Sequence, residues 1–134
     1  MSIALILMAA AASTQVASTP TGAAIIQECW TGNSHIQMSD CVVRRAYSAH
    51  SALITAEGRV LDSLKRRGDA AMTALFQETV ASYQIYRKQQ CRFQEALASQ
   101  GNGAVDIRIA CEAALDTSRS EQLVSGRQWL EPGA

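Results

Sequence analysis

Cys91-Arg92-Phe93-Gln94-Glu95-Ala96-Leu97-Ala98-Ser99-Gln100-Gly101-Asn102-Gly103-Ala104-Val105-Asp106-Ile107-Arg108-Ile109-Ala110-Cys111 is the stretch on which the fold turns. Gln100-Gly101-Asn102-Gly103 combines two glycines and an asparagine, residues that enter the left-handed region cheaply, and so breaks any helix that reaches it. Both flanks are rich in good helix formers. If they fold back at residues 101 to 103, Cys91 and Cys111 lie about ten residues either side of the turn, at nearly the same height. They are expected to pair.

Working outward from the turn, Asp69 is a natural cap for the preceding helix, in which Met72, Leu75, Phe76, Val80, Tyr83, Tyr86, Phe93 and Leu97 mark an apolar stripe. The helix after the turn runs from about Val105 to Val124, with Ile109, Ala110, Ala114, Leu115 and Leu123 on its buried side. Upstream, Ser34-His35-Ile36-Gln37 has the form of a capping box, the Ser oxygen serving the amide three residues on. From there Ile36, Cys41, Ala49, Leu53, Val60, Leu61 and Leu64 recur at helical spacing. Lys65-Arg66-Arg67 then suits the negative end of a helix, and Gly68 stops it. β-branched residues form no alternating runs. The expectation is an all-α domain, a three-helix antiparallel bundle.

Four cysteines, Cys29, Cys41, Cys91 and Cys111, are the complete set. Zinc would call for short Cys-x-x-Cys pairs, and neither the cysteine spacing nor His35 and His50 supplies a ligand pattern, so no metal and no cofactor are expected. With Cys91 and Cys111 joined, the simplest remaining bridge straps Cys29, just ahead of the first helix, onto Cys41, about two turns into it. Two disulfides would then staple the bundle.

Ile3 to Ala12 is an apolar run that suits the core of an export signal and is too short to span a bilayer. Small residues follow it, allowing cleavage between residues 12 and 13 or between 18 and 19. No Lys or Arg precedes Ile3, which predicts a signal extending upstream of Met1. Cys29 stands well past the apolar run, in the wrong place for lipidation, so no stable membrane anchor is expected. The chain thus divides into a signal at 1–18, a spacer at 19–28, a helical domain at 29–126 and a flexible tail at 127–134. The expected location is periplasmic or secreted, where disulfides persist.

Lys plus Arg and Asp plus Glu balance at 12 each, which removes the basic surface that nucleic acid would need. Arg44-Arg45 and Lys65-Arg66-Arg67 are basic spots with Asp40, Glu57, Asp62 and Asp69 close by, and read as solvated helix faces. His35 and His50 read as solvated residues without a Ser, Cys or Asp partner. With all four thiols oxidised no cysteine nucleophile remains, and no catalytic residue is nominated.

Several segments together resemble a known family. They are Glu28-Cys29, Met38-x-x-Cys41, Leu53, Tyr83-x-x-Tyr86-Arg87-x-x-x-Cys91, and Ala110-Cys111-x-x-x-Leu115-x-x-x-Arg119-x-x-x-Leu123. The family is that of the lysozyme-inhibitor LprI-like N-terminal domain, a group of small exported helical proteins. Tyr83 stands where the family usually has Trp, Lys88 where it has an acidic residue, and Ile54 to Glu57 lacks the usual Asn and Tyr. The resemblance implies an exported, non-enzymatic binding protein whose partner is a lysozyme-type muramidase.

The residues that could carry such binding are Tyr83, Tyr86, Arg87, Arg119 and Trp30. An Arg between aromatics can anchor a carboxylate, and an exposed Trp is a good interface anchor. Each also has a structural reading. Arg87 and Arg119 can pair with acidic residues of neighbouring helices, the Tyr rings can fill space beside the disulfide, and Trp30 can cover the Cys29 bridge. Trp129 sits in the tail with little to pack against. Two other functional classes remain: a structural or accessory envelope protein docked on another exported protein, and an enzyme whose site is assembled only in a complex.

Overall fold

The computed structural model describes residues 20–32, 34–98, 101 and 103–126. The signal expected at 1–18, the tail at 127–134, Trp129, Gln100 and Asn102 lie outside the described residues. Within them the chain is all-helical, without strands: α1 (Gly22–Cys29), α2 (His35–Arg66), α3 (Ala70–Leu97) and α4 (Ala104–Gly126). Two disulfides are formed, Cys29 to Cys41 and Cys91 to Cys111, with Cα atoms 5.6 and 5.5 Å apart. Disulfides belong to an oxidising compartment rather than to the reducing cytosol. No described helix is long and apolar enough to cross a membrane.

The helix ends follow the local chemistry. The Ser34 side chain accepts the Gln37 amide at 3.2 Å, and the Asp69 carboxylate accepts the Met72 amide at 3.0 Å, so each satisfies an amide with no partner inside its helix. At the end of α2 the Gly68 amide donates to the Lys65 carbonyl and the Asp69 amide to the Leu64 carbonyl. That double bond pattern needs a left-handed residue, and Gly68 supplies it at φ 69°.

One element was not anticipated. The stretch 19–28, expected as a spacer, carries α1, which raises the helix count from the expected three to four. Thr21 caps it by accepting the Ala24 amide. Its single turn-and-a-half of apolar side chains is too short to show a period, and its place is decided by packing instead. Ile25 and Cys29 are buried in a cluster with Met38 and Val42 of α2 and Ala110 and Ala113 of α4. Gly22 lies directly over α4: a Cβ there would come within 3.0 Å of the Cys111 backbone nitrogen. Only glycine permits that approach.

α2 and α4 run in the same direction, since Asp106 meets Ser39, Asp116 meets His50 and Arg119 meets Glu57 as both numbers rise. Small side chains, Ala110 and Ala113, let these helices come close. α3 runs against α4 and touches it along its i, i+4 row: Thr79, Tyr83, Arg87, Cys91 and Glu95 meet Arg119, Asp116, Glu112, Cys111 and Arg108. That row is polar apart from the cysteine.

The consequence is a correction to two apolar stripes. Met72, Leu75, Tyr86, Phe93 and Leu97, expected to face the core, are exposed on the flank of α3, because the polar row has taken the seam. On α2 the first expected core residue, Ile36, is 72% exposed, and Met38, Val42, Leu53, Ala56, Val60 and Leu64 fill the interior.

Candidate functional site

Asp116 is the centre of the most connected group of side chains among the described residues. It projects from α4 on the same face as Ala110 and Ala113 and has no solvent exposure. An isolated carboxylate in such a place is costly, and it persists only with its oxygens fully engaged. Arg87 of α3 donates through Nε to Oδ1 at 2.7 Å and through Nη2 to Oδ2 at 3.0 Å, a two-pronged match of planar fork to carboxylate. Tyr83 donates its hydroxyl to Oδ1 at 2.7 Å, and His50 of α2 brings Nδ1 to 3.0 Å from Oδ2. Three helices are thereby tied at one side chain.

The network extends outward. Arg87 also reaches Glu112 at 3.3 Å, and Glu112 pairs with Arg108, which in turn reaches Glu95 at 3.0 Å. One turn beyond Asp116, Arg119 pairs with the buried Glu57 at 3.0 Å, bonds to the Thr79 hydroxyl and lies over the Tyr83 ring at 4.6 Å from its centroid. Burial and the hydrogen bond to Asp116 hold the Tyr83 phenol well above the usual tyrosine value, against the opposing pull of Arg87 and Arg119. Tyr83 is therefore a neutral donor here.

A second buried carboxylate, Asp106, repeats the arrangement near the start of α4. It accepts the Ser39 hydroxyl at 2.6 Å and sits 2.9 Å from His35 Nε2. The two histidines expected on solvated faces are thus half-exposed residues, each held to an aspartate of α4. Sequence reading missed Asp106 and Asp116. The available signal was their position: steps of four, three and three residues join Asp106, Ala110, Ala113 and Asp116 on one helix face, so two carboxylates interrupt an otherwise small and apolar stripe.

The structure brings together three of the five nominated side chains, Tyr83, Arg87 and Arg119, and employs their polar groups internally. Tyr86 stands apart on the exposed flank of α3 at 53% exposure. With Leu75, Thr79, Tyr83 and Arg119 it borders an open hollow of about 460 Å³. Trp30 closes α1 as its C-cap and is 54% exposed beside the Cys29–Cys41 bridge, far in sequence from the rest. Tyr47 of α2, not nominated from sequence, is 77% exposed, the highest value among the large apolar side chains of the described residues.

The polar groups of this arrangement are bonded to one another across the helices. Among the described residues no group of three or more His, Cys, Asp or Glu side chains could hold a metal ion. Both buried aspartates are compensated by donors, and neither aims a free oxygen at a cavity. In comparisons with known proteins, no protein-family model, no curated protein and no solved structure matches this chain.

Proposed function

We propose that this chain is an exported, non-enzymatic binding protein, working in the periplasm or outside the cell, that inserts exposed side chains of α2 into the cleft of a lysozyme-type muramidase. One observation carries the reading. Arg87, Arg119 and Tyr83 are engaged inside the bundle, whereas Tyr47 stands 77% exposed, and Arg44, one turn earlier, is exposed without an ion pair among the described residues. Muramidases act on their substrate with paired carboxylates, and a phenol beside a guanidinium suits insertion into such a cleft. The choice of a muramidase as partner comes from the family resemblance of the sequence.

Equal numbers of acidic and basic residues leave the chain without a net charge to steer a partner from a distance, so association should depend little on salt. The test is a turbidity assay of cell-wall lysis with the oxidised protein and several muramidases. Slowed lysis is expected at micromolar protein. Tyr47→Ala and Arg44→Ala should relieve it at unchanged thermal stability, while Arg87→Ala should act through loss of stability. Lysis that proceeds at its normal rate with every muramidase removes this reading. What then remains is a structural or accessory envelope protein that docks on another exported protein.

A further inference from the structure

The exposed flank of α3 is patterned. Met72, Leu75, Thr79, Ser82, Tyr86, Gln89, Phe93 and Ala96 follow one another at alternating three- and four-residue steps, and all eight are exposed. This is the spacing at which one helix offers a continuous seam to another, and it is kept through four repeats over the 28 residues of α3, a length of about 42 Å. The Cys91 disulfide and every interhelical ion pair of α3 lie on other faces, and among the described residues Thr79, whose hydroxyl accepts from Arg119 at 3.4 Å, is the one seam side chain with a hydrogen bond to another helix.

We infer that this seam is filled by α3 of a second copy of the chain, running antiparallel, in a two-fold symmetric dimer. The side chains are complementary to themselves only in that direction. With the two-fold axis passing near residue 84, Leu75 lies opposite Phe93 of the second copy, the large Tyr86 opposite the small Ser82, and Met72 opposite Ala96. Thr79 and Gln89 face each other as a polar pair: the Thr79 hydroxyl donates to the Phe76 carbonyl and accepts from Arg119, which leaves one lone pair for the Gln89 amide of the second copy.

Charge decides the same way. The column beside the seam is Glu78, Ile85 and Arg92, all exposed. In the antiparallel register Glu78 comes beside Arg92 of the second copy, Arg92 beside Glu78, and Ile85 beside its own counterpart. A parallel pair would stack Tyr86 on Tyr86 and leave both charges unmatched. A two-fold contact requires a patch that matches itself when reversed, and this column does.

The dimer uses a face distinct from Tyr47 and Arg44, so its failure and the failure of muramidase binding are separate results. The experiment is sedimentation equilibrium of the oxidised full chain across the micromolar range, for the parent, Glu78→Arg, Arg92→Glu and the double swap. The parent should show a mass that rises to twice that of the chain. Each single reversal replaces attraction by repulsion at two symmetric places and should weaken association on the order of tenfold. The double swap restores both pairs and should return it to the parent value. Ile85→Arg, which sets two arginines against each other at the axis, should give a folded monomer by circular dichroism. A parent that stays monomeric throughout, or a dimer indifferent to the single reversals, overturns the proposal.

Discussion

Replacing Arg87 with alanine removes the cation that compensates a carboxylate with no exposure to water. The Arg87 side chain is itself only 21% exposed, so solvent screens the pair weakly. It contributes two donors to Asp116, at 2.7 and 3.0 Å, and one contact to Glu112 at 3.3 Å. Deleting one partner of a buried pair costs about 3–5 kcal/mol, mostly because the remaining charge is stranded. Tyr83 and His50 still reach Asp116 after the change, which places the expected loss near the lower figure, about 3 kcal/mol. For a domain of this size that is a large share of the total stability and corresponds to a fall in melting temperature of roughly 10–20 °C. Lys88→Ala, an exposed neighbour on the same helix, should shift stability by less than about 0.5 kcal/mol. Urea unfolding of the oxidised proteins, followed by circular dichroism, measures both. A double-mutant cycle with Asp116→Ala should return a coupling of about 2 kcal/mol or more. If Arg87→Ala unfolds at the same urea concentration as Lys88→Ala, the claim that Asp116 organises the three helices is wrong.

The same chemical change should have opposite signs at two glycines. Gly22→Ala forces a methyl to 3.0 Å from the Cys111 nitrogen and should destabilise by about 1–3 kcal/mol, with α1 becoming cleavable by protease, whereas Gly58→Ala, in open space within α2, should stabilise by roughly 0.5–1 kcal/mol. A stable Gly22→Ala protein with a protected α1 would show that the close approach to α4 is dispensable. Tyr83 predicts an alkaline limit: its folded-state value lies above the unfolded one, so its contribution is complete below about pH 10 and is lost as pH rises further. Tyr83→Phe should therefore flatten the decline of unfolding free energy above that pH, and parallel declines in the two proteins would refute the assignment.

Where the determinants were local, the sequence was readable. Ser34, Asp69 and Gly68 act as caps and stop because each satisfies, or frees, a backbone group within a few residues of itself. The pairing of Cys91 with Cys111 followed from counting residues about a turn, which requires no knowledge of the core. What was hidden depended on contacts far apart in sequence. α1 forms on a stretch that looks like a spacer because Gly22 and Ile25 meet α4, more than eighty residues away. His50 looked solvated because its partner, Asp116, is 66 residues distant. The apolar residues of α3 were correctly seen as a stripe but assigned to the wrong side, since a polar row does the joining and hydrophobicity alone cannot reveal that.

The two buried aspartates of α4 have a consequence for how precisely the chain can be assembled. Asp106 and Asp116 are separated by ten residues, and each finds its donors at a fixed height on α2, Ser39 and His35 for one and His50 for the other. An apolar seam of alanines would tolerate α4 sliding by one turn, about 5.4 Å, at little loss of contact area. With two carboxylates set into that seam, the slide strands both at once. They act as the teeth of a key, cut at a spacing that only one alignment of α2 and α4 accepts, and a small domain with few large apolar side chains gains a unique structure from them rather than from the size of its core.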